Sequence, residues 1–456
     1  MAKNDILKKL PLDPYSVHCI GIGGIGVSAI AELLLDCGCK ISGSDAEFNS
    51  NCAHLAERGA VISAAGHRVE NIPAYPIGGA IMTAAADLNN PEAKALLRSN
   101  VMLWRRGEFL GELCRTYRHP VMVAGSHGKS STSAMLGWIF KKCQIDAGLL
   151  LGAHYQDKSS NACAGNGDIL LAEADESDNS IKFLSGELAL ITNIDGDHAW
   201  SDKELQEQYA AFRMFASAFK KVIFLDSAIC RELLCSHPNA VELSGSCLEK
   251  LLQTVPERFI GYERLNAALA VAGAKYFNIS AKQAVQALET YPGLERRQGE
   301  LLKSCSNRLI LLEDYAHHPT ELAASLEVIR KRYEQYHITL LFQPHRYQRL
   351  RHYFQDFANI LSNKSLTVKV LPVFSAWEPT PVDAVDSGDL AAAINRLGGN
   401  ASTMPLLPGA AAALVEELYK TGGNQLIALI GAGDLNELIP EIKKAMQTID
   451  ASQKVG

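Results

Sequence analysis

Apolar residues in this chain come in short runs that stop at glycine or at polar clusters, and helical stretches separate them. Val17-His18-Cys19-Ile20 is one such run. It meets Gly21-Ile22-Gly23-Gly24-Ile25-Gly26 and passes into a helical pattern from Ser28 to Cys37, after which Ile41 leads into Ser42-Gly43-Ser44-Asp45. Val121-Met122-Val123-Ala124 meets Gly125-Ser126-His127-Gly128-Lys129-Ser130-Ser131-Thr132, and Leu426 to Ile430 meets Gly431-Ala432-Gly433 before a helix from about Leu435. Asp168 to Ala172, Leu188 to Ile191, Arg308 to Leu312 and Ile338 to Phe342 read the same way. Continuous apolar runs of this length predict strands buried on both faces. Their alternation with helices predicts an α/β chain of parallel sheets with helices on each side.

A length of 456 residues suits about three domains. The stretch 101–118 reads as a strand end followed by a helix, and Tyr291-Pro292-Gly293 reads as a break. The expected units are 1–107, 108–293 and 294–456. The net charge of −6 is spread along the chain without a basic block, which argues against a nucleic-acid partner. The polar first ten residues and the lack of a long apolar run argue against a signal segment and membrane insertion, and for a cytoplasmic protein. Monomer and homodimer are both open expectations. Eleven scattered cysteines lack paired zinc spacing and suit small buried hydrophobes in a reducing compartment.

The central loop carries the clearest chemistry. Its amides and the following helix N-terminus suit phosphate oxygens, Lys129 would neutralise the outer phosphates, and the Ser130 hydroxyl would hold Mg²⁺. Val123 stands where a full Walker A loop has its first glycine, which narrows the match to ATP-dependent amide ligases. Gly21, Gly23 and Gly26 form a G-x-G-x-x-G pattern, with Asp45 at the distance of a ribose contact. Alone that suggests NAD, or a turn needing glycine. A nucleotide-sugar diphosphate would use the same amides, and it leaves the second loop its own role.

Glu173 ends the run from Asp168 and is the leading Mg²⁺ partner, whereas the later acids Asp175, Glu176 and Asp178 suit a helix N-terminus. His198 follows the run from Leu188. Spacing alone divides evenly between a cation ligand and a satisfied core histidine. In the last unit, Asp314-Tyr315-Ala316-His317-His318-Pro319 and Gln343-Pro344-His345-Arg346-Tyr347-Gln348-Arg349 end two strands, so one shared site is expected. Arg346 and Arg349, a turn apart on a helix, would clamp one carboxylate.

These motifs, from Val17 to Gly433, resemble the Mur ligase family. The resemblance implies three domains: a Rossmann-like N-terminal domain for a UDP-sugar, a P-loop ATPase-like central domain, and a Rossmann-like C-terminal domain for an amino acid. It implies an ATP- and Mg²⁺-dependent carboxylate–amine ligase, of the type that joins L-alanine to UDP-N-acetylmuramate in peptidoglycan precursor synthesis. By motif position, Gly125, Ser126, His127, Gly128, Lys129, Ser130, Ser131, Asn266, Arg296, Arg297 and Asp314 fall on the ATP side. Ser130, Glu173 and His198 fall on the metal. Gly21, Gly23, Gly24, Gly26, Asp45 and His67 fall on the UDP-sugar. Tyr315, His317, His345, Arg346 and Arg349 fall on the amino acid, and Lys129, Glu173, His198, His317 and Arg346 carry the reaction.

The chain departs from the family in places. Serines replace threonines at 126, 130 and 131, and Tyr262-Glu263 stand where a His-Asn pair precedes Asn266. The stretch 199–261 is short, which predicts a reduced central domain. A ligase adding a whole peptide, a silent binding paralogue and an NAD oxidoreductase are the competing readings.

Overall fold

A computed structural model describes residues 3–63, 66–157, 160–176, 180–197, 199–376 and 378–453. The chain forms two compact units, Met1–Pro292 and Gly293–Gly456, holding three sheets. The two units part at the Pro292-Gly293 step.

The first unit opens with β1 (Ser16–Ile20), β2 (Lys40–Ser44), β3 (Val61–Ser63), β4 (Gly79–Met82) and β5 (Leu103–Arg105). They pair in the order β3-β2-β1-β4-β5, all parallel. Every residue of β1 is buried, as expected of a central strand covered on both faces. The strand order reverses beside β1, and the glycine loop leaves its carboxyl end there, where open α/β sheets bind ligands.

The second sheet of this unit contains β6 (His119–Ala124), β7 (Gly148–Leu150), β8 (Ala162–Cys163), β9 (Ile169–Glu173), β10 (Gly186–Ile191), β11 (Phe219–Leu225) and β12 (Ala240–Leu243). Their order is β12-β11-β10-β6-β9-β7-β8, with only the β7–β8 pair antiparallel. Val123 pairs with Glu173 and Ala124 with Ile191, so β6, β9 and β10 end level with one another. The stretch 199–261 supplies β11, β12 and three helices. Stretches 1–107 and 108–292 carry separate sheets but pack as one unit. One apolar cluster runs from Ile6 to Leu234, and the Ser160 hydroxyl and the Ala164 N–H donate to Glu32 and Asp36 of the helix Ile25–Asp36.

The second unit contains β13 (Gly299–Lys303), β14 (Leu309–Asp314), β15 (His337–Phe342), β16 (Leu366–Val370), β17 (Ala401–Thr403) and β18 (Gln425–Ile430). The order is β13-β14-β18-β15-β16-β17, parallel apart from β13–β14. Asp314 and Phe342 both pair with Ile430, which levels three strand ends. Two apolar clusters form its core. All eleven cysteines are free, and six of them are buried. Burial pushes the Cys39 and Cys114 thiols up to about 12, so both are unreactive packing groups.

Candidate functional site

The phosphate-type loop is built by strand ends that pin it from one side. Gly125 has φ +127°, and a Cβ there would lie 2.1 Å from Thr192 Oγ1. Gly128 has φ +85°, with a Cβ position 2.6 Å from Asn266 Oδ1. Only glycine meets both demands. Ser126 N–H donates to Asn193 O at 2.9 Å and His127 N–H to Asn193 Oδ1 at 3.0 Å. The Asn193 amide and the Thr192 hydroxyl return bonds to His127 O at 2.9 and 2.6 Å. His127 Nε2 lies 2.7 Å from Asp195 Oδ2. Asn266, on the helix Tyr262–Tyr276, is therefore a wall of this loop, and Ser131 is half-buried in the first turn of the helix Lys129–Lys142.

Lys129 Nζ donates to Gly125 O at 2.6 Å, to Ser126 O at 3.1 Å and to both oxygens of Glu176 at 3.1 and 2.9 Å. Burial alone would lower the lysine pKa, but Glu176, Asp175 and Glu173 outweigh it and hold it above the ordinary value. Burial pushes the Glu176 carboxyl up to about 7, with Lys129 pulling it back. Above that pH the contact is an ion pair. Below it, Glu176 takes a proton while Lys129 keeps its charge.

Glu173 sits at the end of β9 with Oε2 accepting from Ser130 Oγ at 2.9 Å. Its Oε1 accepts from Ser133 Oγ at 2.8 Å and Gly152 N at 2.6 Å. A hydroxyl and a carboxylate oxygen side by side are hard donors and fit a small divalent cation. His198 lies outside the described residues, as do Ser177 and Asp178.

At the glycine loop, no side chain among the described residues caps the helix Ile25–Asp36, which begins after Gly24. Asp45 Oδ2 accepts from Gly23 N at 2.7 Å and so fixes the loop. Asn49 and Asn51 donate to Gly23 O at 3.1 and 2.8 Å. A Cβ on Gly26 would sit 2.7 Å from Arg106 Cδ, so the Arg106 side chain lies against the start of this helix. Its Nη2 is 3.1 Å from Ser180 Oγ and 3.7 Å from Asp175 Oδ2, next to the Lys129–Glu176 pair. His67 stands 2.8 Å from Ser44 Oγ at the end of β2.

The second unit gathers its own cluster. Tyr315 packs edge-on to His317, His317 edge-on to His345, and His345 stacks on Phe374. Arg296 and Arg297 lie over the Tyr315 ring at 4.9 and 5.4 Å. Arg349 Nη1 is 3.4 Å from His345 Nδ1. Arg346 has φ +68°, and its buried Nε has no hydrogen-bond partner among the described residues. A non-glycine residue held there is strained, and such strain persists where the surroundings enforce it. Arg346 is the residue before the helix Tyr347–His352, so the two arginines do not share a helical face as the spacing suggested. Asp314 is turned inward, its oxygens taken by Ala316 N at 2.9 Å and Ser325 Oγ at 2.8 Å. It shapes the Tyr315–His317 loop instead of presenting itself to a ligand. Burial raises its pKa, with Arg297 opposing.

Sequence reasoning missed Arg106, Ser133 and Asn193, and read Glu176 as helix-terminal charge. None stands in a motif of its own, and Glu176 gains its role only by burial against Lys129.

The family profile "Mur ligase family, catalytic domain" matches residues 16–118, and "Mur ligase, glutamate ligase domain" matches residues 299–433. The UDP-N-acetylmuramate–L-alanine ligase of Coxiella burnetii is 33% identical over 458 residues, covering 93% of this chain and 96% of the relative. The crystal structure of the UDP-N-acetylmuramate–alanine ligase MurC from Thermotoga maritima superposes with a TM-score of 0.76 at 23% identity, over 96% of this chain and 99% of that one. A murein peptide ligase from Psychrobacter arcticus superposes with 0.65 at 18% identity, over 94% and 98%. End-to-end similarity at this level, with both family profiles in order along the chain, shows that the protein belongs to the Mur ligase family.

Proposed function

We propose that this protein is an ATP-dependent ligase that joins L-alanine to the lactyl carboxylate of UDP-N-acetylmuramate, in the cytoplasm, for peptidoglycan precursor synthesis. The observation that carries the reading is the 33% identity with an alanine-adding ligase across nearly both whole chains. The Lys129, Ser130 and Glu173 constellation supports the chemistry. In this reading the first sheet, within residues 1–107, takes the UDP-sugar. Residues 108–293 take ATP, and 294–456 take the amino acid.

A carboxylate oxygen of the sugar attacks the γ-phosphorus of ATP, the bond to ADP breaks, and an acyl phosphate forms. The alanine amine then attacks the acyl carbon, phosphate leaves with the bonding pair, and the amine gives up a proton. Transfer of this kind needs charge neutralised and groups aligned more than it needs acid–base work. Lys129 places a positive charge at the loop, and the first amides of the helix Lys129–Lys142, which no side chain caps among the described residues, would face the phosphates. To do so, Lys129 must exchange Glu176 for phosphate oxygens. Ser130 and Glu173 would hold Mg²⁺, with His198 as the third ligand the resemblance implies. When bound, the ion supplies charge neutralisation at the transferred phosphoryl group. Arg346, with its buried unpartnered Nε, suits the alanine carboxylate.

The test is ADP release with Mg-ATP, UDP-N-acetylmuramate and a series of acceptors, each component omitted in turn. Release requiring both the sugar and L-alanine is expected. Release with an alanyl peptide but not alanine would move the assignment to the peptide ligases. No release from protein that binds UDP would mark a silent paralogue.

A further inference from the structure

Beneath the glycine loop lies a buried proton-fixed network that the reaction scheme does not use. Glu92 is fully buried near the start of the helix Pro91–Arg98, whose first amides Asn90 caps. Four donors converge on its carboxylate. Arg68 N–H and Asn71 Nδ2 reach Oε1 at 2.9 and 2.7 Å, while Ser44 Oγ and His18 Nε2 reach Oε2 at 2.6 and 3.1 Å. Burial works to raise the pKa of Glu92, but the bonds from His18, Ser44 and Asn71 outweigh it and keep it below the ordinary carboxylate value. The group is an ion and can only accept.

That fixes each hydrogen along the chain of contacts. Ser44 has one hydroxyl hydrogen, and Glu92 takes it. The Ser44 oxygen can then only accept from His67 Nδ1, 2.8 Å away. A neutral His67 therefore carries its proton on Nδ1 and a lone pair on Nε2. The same logic puts the His18 proton on Nε2 and leaves its Nδ1 to accept from Ser42 Oγ at 3.0 Å.

We infer that Glu92 and Ser44 are positioning residues that lock His67 in the Nδ1–H tautomer, so that His67 Nε2 accepts a hydrogen bond from the nucleoside half of the sugar nucleotide. This rests on the reading that the first sheet binds a UDP-sugar. The donor is a ribose hydroxyl or the pyrimidine N–H, and both have the same chemistry at this nitrogen. Glu92 also ties down the backbone of 66–71 through Arg68 and Asn71, whose Nδ2 also reaches Gly66 O at 2.9 Å, so one carboxylate sets both the place and the polarity of the ring.

The test starts on the unmodified protein with ¹⁵N-labelled histidine. The His67 signal, assigned by its loss in His67→Ala, is expected to show the Nδ1–H tautomer. Calorimetry with UDP, 2′-deoxy-UDP and N3-methyl-UDP then follows on the wild type, Ser44→Ala and His67→Ala. Loss of one hydrogen bond predicts UDP affinity about fivefold to tenfold weaker in each variant, with ADP affinity at the central loop unchanged. The analogue lacking the true donor should weaken binding to the wild type but not to His67→Ala. An Nε2–H tautomer, or equal UDP binding by all three proteins, overturns the inference while leaving the sugar-nucleotide reading intact. Wild-type protein that binds no UDP overturns that reading, and the Nε2 acceptor role falls with it; the tautomer is still decided on the free protein.

Discussion

Removing the Lys129 ammonium isolates a carboxylate that cannot reach water. Glu176 is fully buried in its side chain, and Lys129 is the charge that most restrains its pKa. Breaking such a pair from one side costs about 3 kcal/mol. The cost is also pH-dependent, with a definite sign. The folded pKa of Glu176 is about 7, above the ordinary 4.5. Its favourable contribution is complete below 4.5 and is lost as the pH climbs to 7, because the folded state binds a proton that the unfolded state has released. In the wild type that decline ends near pH 7. In Lys129→Ala the folded pKa moves higher and the decline continues, so the deficit against wild type grows by about 1.4 kcal/mol for each further pH unit. Urea unfolding at pH 7 and pH 8 measures this. Lys129→Ala should be less stable at both values and more so at pH 8, and Lys129→Ala/Glu176→Gln should lose the extra pH dependence. Neither variant should release ADP, and both should still bind UDP. A deficit equal at the two pH values, or unaffected by Glu176→Gln, would refute the reasoning.

Three further outcomes follow from the same geometry. Gly128→Ala forces a Cβ against the buried Asn266 amide at a left-handed φ, which costs about 1–2 kcal/mol for the backbone alone; ADP affinity should fall more than tenfold, and unchanged calorimetry would count against the loop geometry. Arg346→Gly should raise the L-alanine KM by an order of magnitude yet hold or raise the melting temperature, because about 1 kcal/mol of strain at φ +68° is released; a KM equal to wild type removes this arginine from the pocket. Glu173→Gln keeps an acceptor for Ser133 and Gly152, so stability should change by less than about 1 kcal/mol while the Mg²⁺ concentration for half-maximal ADP release rises sharply; an unmoved Mg²⁺ requirement would separate Glu173 from the metal.

The strands, their parallel pairing and the loops at their ends were legible in the chain itself. A buried parallel strand must be an apolar run, and a tight loop must carry glycine where the backbone turns or a neighbour presses, as Gly125 and Gly128 do. Side-chain identity likewise marked Lys129, Ser130 and Glu173. What sequence could not supply was the direction in which polar groups point. Asp45 and Asp314 were legible as acids at strand ends, but only folding turned Asp45 Oδ2 to the Gly23 amide and Asp314 inward to Ser325. Arg346 and Arg349 have helical spacing, and only the backbone at φ +68° takes Arg346 out of the helix. Glu176, Arg106 and Glu92 lie 47, 80 and 25 residues from Lys129, Gly26 and His67 respectively. Their partners are chosen by which elements pack together, so their charge, protonation and reach are properties of the tertiary structure alone.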